Sequence, residues 1–480
     1  MTTPTFLWHD YETSGADPRR DRPCQFAALR TNADLELIGD PIEVFCAPAP
    51  DVLPHPQAAL ITGITPQQLV RDGVREAEFA AHVHDAMAVP GTCTVGYNSL
   101  RFDDEFTRNL LYRNFYEPYA REWENGNSRW DLIDLVRMTY ALRPDGIEWP
   151  RREDGTPSFR LEDLARANRL QQERAHDALS DVHALIDLAR LLRARQPRLF
   201  DFYFALRRKQ RAFELLDVAR RTPVLHVSSR FPASRGCLAL VAPLAVHATQ
   251  PNAIIVYDLD ADPAPLIELD AEAIAERVFS ARADLPEDVE RIPLKLVHAN
   301  RSPALAPLSA LAGVDLARIA LDPPRCLAHL QRLRDVPGLA AKLQQVFANR
   351  YDDAKTDPEL ALYGGFLQDA DKRLLREVRA TPPAQLASQR FAFRDARLVE
   401  LFRRYRARNW PEHLSAGEAE QWQAFCRERL ERKTELTTLT FDDYFALIDA
   451  LRADPAQSAH GTLFDALQAY GLERRHALSA

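Results

Sequence analysis

Asp10 and Glu12 stand two residues apart at the end of an apolar run, Phe6-Leu7-Trp8. On a β-strand successive side chains alternate faces, so the two carboxylates point the same way and can share one hard cation. Gly96-Tyr97-Asn98-Ser99-Leu100-Arg101-Phe102-Asp103 brings a third carboxylate, and Ala175-His176-Asp177-Ala178-Leu179-Ser180-Asp181 brings a histidine followed by a fourth. Oxygen donors of this kind suit Mg²⁺ or Mn²⁺, whereas a set of histidines and cysteines would suit zinc. Phosphodiester hydrolysis builds negative charge on an attacking water, a leaving oxygen and a nonbridging oxygen. Two divalent ions about 3.5 to 4 Å apart offset all three, and four acidic residues can hold such a pair while leaving room for water and phosphate.

His176 is then expected to act as a base. Ala175 to Leu192 reads as a helix with apolar Ala178, Val182, Leu185, Ile186 and Ala189, which puts His176 in or just before the first turn and Asp181 a turn inside. An imidazole with an unperturbed pKa near ~6.5 can take a proton from the attacking water at neutral pH. Asp177 is the rival of Asp181 as ligand, and otherwise a favourable charge near a helix N-terminus. Asp131 and Asp134 follow Ser128 in a helix-start pattern and are left outside the site.

In the order D-x-E, N-x-x-x-F-D and H-x-x-x-x-D, these motifs resemble those of the DEDD exonucleases, in the subtype whose third motif carries histidine. Further stretches carry the likeness: Phe6 to Thr13, Leu60-Ile61-Thr62-Gly63-Ile64-Thr65-Pro66, Tyr112-Arg113-Asn114-Phe115-Tyr116, Ser128-Arg129-Trp130-Asp131 and Tyr405-Arg406-Ala407-Arg408-Asn409. Over nearly its whole length the chain is similar to the bacterial exodeoxyribonuclease I family, less so beyond about Glu412. The resemblance implies a catalytic set of Asp10, Glu12, Asp103, His176 and Asp181, with two Mg²⁺ ions, replaceable by Mn²⁺, on Asp10, Glu12, Asp103 and Asp181. Its spacing selects Asp181 over Asp177. It also implies substrate contacts at Arg108, Tyr119, Trp123 and Arg137; Glu12, Asn98, Phe102 and Arg160 are further candidate contacts, and Thr13, just after the D-x-E pair, is placed to meet the 3′ end.

The residues themselves fit that path. Arg108, Arg113, Tyr119, Trp123 and Arg137 mix cations for phosphates with rings on which unpaired bases stack. Arg160 opens a helix, where the dipole disfavours a cation unless an anion offsets it; the alternative is a surface salt bridge. Downstream, Phe402-Arg403-Arg404-Tyr405-Arg406-Ala407-Arg408-Asn409-Trp410 interleaves arginines with aromatics. Such a run is either a solvated helix face or, as the resemblance suggests, a grip on the strand by Arg403, Arg404, Arg406 and Arg408. A second basic cluster, Arg207-Arg208-Lys209-Arg211, is expected to meet DNA or the acidic C-terminal tail of a single-stranded DNA-binding protein, a partner the resemblance implies.

Composition frames these expectations. A chain of 480 residues, 46% hydrophobic, has room for several domains with cores of their own. Six scattered cysteines without C-x-x-C spacing suggest reduced thiols in a cytoplasmic protein, and no signal peptide or membrane span is expected; the resemblance implies a nucleoid-associated monomer. The net charge of −8 does not favour nucleic acid as a whole, so local arginine clustering must carry binding.

The elements that must position these residues change character along the chain. Residues 1–196 alternate strands (Ile42 to Cys46, Thr92 to Tyr97) with helices after Asp103 and Ser128, giving an α/β (α+β) nuclease domain, ribonuclease H-like by resemblance. Residues 197–350 hold short strands at Val224–Val227, Cys237–Val241, Ala253–Tyr257 and Pro293–Val297, then an amphipathic helix from Cys326 to Phe347; the resemblance makes this an SH3-like β-barrel domain. Residues 351–480 are expected to be helical.

The expected activity is processive 3′→5′ hydrolysis of single-stranded DNA to 5′-mononucleotides, in repair and recombination. A proofreading or RNA 3′-exonuclease shares the motifs, but such proteins commonly end near the nuclease module. A silent DNA-binding scaffold would have lost an acidic ligand or the histidine, and none is lost here.

Overall fold

The apolar run that carries Asp10 and Glu12 becomes the middle of a sheet. Strand β1 (Thr5–Thr13) pairs antiparallel with β2 (Pro23–Thr31) and parallel with β4 (Thr92–Gly96), and β3 (Ile42–Phe45) extends the sheet beyond β2. Leu7, Trp8, Phe26, Ala27 and Ala28 are fully buried. A strand covered on both faces reads as a continuous apolar stretch and not as an alternation, which is why Phe6-Leu7-Trp8 looks uninterrupted in the sequence. Trp8 donates its indole N–H to Thr31 Oγ1 at 2.9 Å, so the ring is buried without a lost hydrogen bond. Behind the sheet, Leu7, Tyr11 and Phe26 pack against Phe79 and Val83 of the Glu76–Met87 helix and Leu110 and Leu111 of the Asp103–Arg113 helix.

This computed structural model describes residues 4–170, 177–348 and 356–479. They fall into two units, one drawn from the ranges 1–128, 172–183 and 354–480, the other from 129–171 and 184–353. The first unit thus joins the nuclease sheet to the C-terminal helices. Leu53 and Ala59 share a core with Trp422, Phe441, Tyr444 and Phe464, while Tyr112 and Phe115 share another with Leu375, Leu398 and Tyr405. The C-terminal helices start where polar caps allow: Ser415 with Glu418 and Thr440 with Asp443 form reciprocal capping boxes.

The second unit contains an antiparallel sheet of β6 (Val224–Val227), β7 (Leu238–Val246), β8 (Ala253–Asp258), β9 (Leu294–His298) and β10 (Ala304–Pro307), in the order β10-β6-β7-β8-β9. Four of these strands are legible in the sequence. The fifth, β10, is four residues ending in proline and gives no periodic signal.

Two expectations are corrected. The helix over Cys326 to Phe347 is two helices, Pro323–Arg334 and Leu339–Val346, broken where Gly338 takes a left-handed φ of 70°. Ser128 opens strand β5 (Ser128–Asp131) and no helix; the helix begins at Leu132, capped by Asp131, whose carboxylate accepts from Ile133 N–H at 3.1 Å. The start pattern was right in kind but displaced by three residues. Among the described residues no helix is long and apolar enough to cross a membrane, and all six cysteines are buried free thiols.

Candidate active site

Asp10 and Glu12 leave the same face of β1, and Asp181 reaches them from the helix Ala178–Arg195. One carboxylate oxygen from each lies within 4.8 Å of the others, the sole such acidic or metal-ligating group of three or more among the described residues. Asp177 stays outside it. The Asp177 carbonyl accepts from Asp181 N–H at 3.0 Å, which makes Asp177 the N-cap and sets Asp181 in the first turn. Asp103 is the first residue of its helix and is 3% exposed. The segment before it explains the second motif in backbone terms: a side chain at Gly96 would come within 2.5 Å of Ser99, and Asn98 adopts a left-handed φ of 62°, which asparagine tolerates better than most residues.

Charge at this point is unbalanced. Burial raises Asp10 well above the usual carboxylate range, and the negative charges of Asp103, Glu12 and Asp181 raise it further. Burial and then Asp181, Asp103 and Asp177 push Glu12 up to about 8. The charges acting most strongly on both are negative, so a divalent cation would relieve the strain, and all-oxygen donors suit a hard ion. His176 lies outside the described residues.

Behind the strand the polar groups are differently arranged. His9 is buried on the opposite face, held down to about 4 mainly by burial. Asp104, next to the third carboxylate, is paired with buried Arg121 at 2.5 Å.

The expected substrate residues divide by exposure. Trp123 is 64% exposed. Tyr119 lies 6.4 Å from the ring of Tyr363 and 5.8 Å from that of Phe366, both exposed. These last two were missed in the sequence; their signal is an aromatic pair flanking Gly364-Gly365 in a loop with no apolar periodicity. Arg108 is held by Glu122 at 2.7 and 2.9 Å and Glu105 at 2.6 Å, and reaches Tyr363 Oη at 3.1 Å. Thr13 donates to the Gly15 carbonyl at 2.8 Å, and the Phe102 ring packs on Phe106. In the second unit, Arg137 pairs with Asp134 at 2.9 Å, and Arg160 is exposed at the start of the Leu161–Ala167 helix. Arg113 is buried against Glu76 and has no access to solvent.

Three of the four C-terminal arginines expected to grip the strand are bonded to carboxylates within the chain. Arg404 bonds Asp357 through two nitrogens at 2.8 Å, Arg406 bonds Glu418 at 2.7 Å, and Arg408 bonds Asp51 at 3.1 Å and Glu359 at 2.7 Å. All three are buried, and a phosphate could reach them only by displacing a bonded carboxylate. Arg22 and Arg429 join the same network around Asp51 and Glu359. Arg403, its side chain 36% exposed beside Glu400, is the exception. Of the second basic cluster, Arg207 stacks 3.5 Å over Phe204 and, with Arg208, Arg211 and Asp201, lines a cavity of about 250 Å³.

Three family models match successive stretches of the chain: "Exonuclease" over residues 7–189, "Exonuclease I SH3-like domain" over 207–349 and "Exonuclease I C-terminal domain" over 356–474. A curated relative, exodeoxyribonuclease I of Escherichia coli (strain K12), is 47% identical over 419 residues, 87% of this chain and 88% of the relative. The solved exonuclease I of Methylocaldum szegediense aligns with a TM-score of 0.94 at 50% identity, covering 98% of this chain and 99% of that one. E. coli exonuclease I in complex with a dA16 oligonucleotide aligns at 0.92 and 44%, covering 98% and 100%. A further similar structure is described as a complex of SSB and exonuclease I with an inhibitor, at 0.89 and 42%, covering 98% and 100%.

Proposed function

The chain belongs to the exodeoxyribonuclease I family, and on that premise we propose that it removes nucleotides successively from the 3′ end of single-stranded DNA, releasing 5′-mononucleotides in repair and recombination. The observation that carries this reading is the meeting of Asp10, Glu12 and Asp181 within 4.8 Å, with the strongest charges around them negative. Asp10, Glu12 and Asp181 would hold Mg²⁺, and Asp103 would complete a second position. Divalent ions there would offset the charge that builds on the phosphate and the leaving oxygen. His176 takes the proton of the attacking water.

Exposed Trp123, Tyr363 and Phe366, with half-buried Tyr119 beside them, give unpaired bases a stacking surface. Arg108 keeps that surface in place through Glu105, Glu122 and Tyr363, while Thr13, Asn98 and Phe102 face the terminal nucleotide, and Arg160 and Arg403 meet phosphates; Arg137, buried against Asp134, would do so by giving up that carboxylate. The segments 1–196, 197–350 and 351–480 serve as nuclease, SH3-like and helical domains of a monomer that works in the cytoplasm at the nucleoid. For a partner's acidic tail there are two candidate places. One is the cavity of Arg207, Arg208 and Arg211. The other is a cleft of about 530 Å³ lined by Arg143, Arg198, Leu199, Phe202 and Pro307, which joins two arginines to apolar surface.

A proofreading or RNA exonuclease does not account for the matches over 207–349 and 356–474. Digestion of end-labelled single-stranded DNA, duplex DNA and RNA, with Mg²⁺ and with EDTA, tests the reading. Mononucleotides released only from single-stranded DNA, from the 3′ end and only with metal, are expected; internal cuts or EDTA-resistant cleavage would contradict it.

A further inference from the structure

Tyr11 lies between Asp10 and Glu12 on β1 and therefore points to the opposite, buried face. Its hydroxyl is 3.0 Å from Thr107 Oγ1, and Thr107 donates its own proton to the backbone carbonyl of Asp103 at 2.8 Å. A hydroxyl has one proton, so with that of Thr107 committed, Tyr11 is the donor. The result is a directed chain from the centre of the metal-ligating strand to Asp103, the residue that supplies the third carboxylate.

That residue needs support. The helix begins at Asp103 without a side-chain cap, Phe102 standing at the cap position with φ −125° and ψ −76°. A second tie holds the next residue: Arg121 donates to Asp104 at 2.5 Å and to Thr94 Oγ1 of β4 at 3.4 Å. The first turn is thus fastened to both β1 and β4 from behind, by residues that are all buried.

We propose that Tyr11 and Thr107 are positioning residues that set the depth of Asp103 relative to Asp10 and Glu12. The inference rests on the four carboxylates being the metal site. Metal–ligand distances tolerate only about 0.2 Å, so slack in one helical turn is enough to weaken a site. Because Asp103 stands outside the closest group of three, the weaker of two binding events is the one affected.

The test is Mn²⁺ binding to the full-length protein, followed by the paramagnetic resonance of free Mn²⁺, for Tyr11→Phe, Thr107→Val, the double variant, Thr107→Ser and Asp103→Ala. Tyr11→Phe and Thr107→Val should each weaken the second binding step roughly tenfold, the lower end of what supporting partners of metal ligands contribute, and leave the first unchanged. The double variant should be no worse than either single one, because both break one chain. Thr107→Ser should restore the second step, and turnover at saturating Mg²⁺ should stay within about twofold of wild type while the half-saturating concentration rises. Loss of the second step in Asp103→Ala but not in Tyr11→Phe or Thr107→Val would overturn the relay alone, as would additive effects of the two. An unchanged isotherm in Asp103→Ala would overturn the site assignment, and the relay with it.

Discussion

Two charge clusters in the first unit, one partly and one wholly buried, are built from the same carboxylate chemistry and end in opposite states. Around Asp10, Glu12 and Asp181 the charges acting most strongly on Asp10 and Glu12 are negative, and those two acids are pushed up, Glu12 to about 8. Around Asp51 and Glu359, burial would also raise the acids, but Arg408, Arg429 and Arg22 prevail and hold both far below the ordinary carboxylate range. The second cluster is complete within the chain and acts as a lock between the nuclease sheet and the C-terminal helices. On the proposed reading the first is completed by cations from outside, and that difference would separate a reactive site from a structural one.

Breaking the incomplete cluster should have the largest effect. Asp10→Ala or Asp181→Ala should lower cleavage roughly 10³-fold or more, since bound metal supplies several kcal/mol of transition-state stabilisation. Oligonucleotide binding in Ca²⁺ should survive, and full activity in either variant would remove these residues from the site. His176→Ala should lower turnover by about 10² to 10⁴ without a matching loss of metal affinity, and higher pH should recover part of the rate. A variant limited only by Mg²⁺ affinity would make His176 a ligand instead.

Breaking the complete cluster should act on stability. Arg408→Ala leaves Asp51 and Glu359 short of a bonded cation and should cost about 3–5 kcal/mol in denaturant unfolding, against near zero for an exposed arginine. A loss under about 1 kcal/mol would mean that the network is not a lock. Outside both clusters the effect should be smallest: Trp123→Ala should weaken single-stranded DNA binding by about 1–3 kcal/mol, one stacked base, with unfolding unchanged. Unaltered affinity would take Trp123 off the path.

The contrast also marks what the sequence could and could not show. Asp10, Glu12 and Asp181 were legible because strand alternation and a helix start are local rules, and Asp103 because it closes a motif. The role of Arg404, Arg406 and Arg408 was not. Their spacing on one helix is compatible with a solvated face, a strand grip or internal pairing. The choice depends on Asp51, Asp357 and Glu359, which only the fold brings close. The same reason hid Tyr363 and Phe366, exposed rings that become a surface only beside Tyr119. Local misplacements, such as the helix start at Leu132 and the break at Gly338, follow from caps and a single left-handed glycine.

The two clusters should also respond to pH with opposite signs. Glu12, raised above its ordinary 4.5, contributes stability below that value and loses it as pH rises through about 8 in metal-free protein. Asp51 and Glu359, held low, contribute above the ordinary carboxylate range and lose it as pH falls below. Thermal unfolding of wild type and Asp10→Asn at pH 6 and pH 8, in chelator and then in Mg²⁺, is the most direct test of the incomplete cluster. In chelator, wild type should lose more stability than Asp10→Asn between the two pH values, and Mg²⁺ should restore it at pH 8 in wild type alone. Equal pH slopes and an equal response to Mg²⁺ in the two proteins would contradict the claim that these carboxylates await a divalent cation.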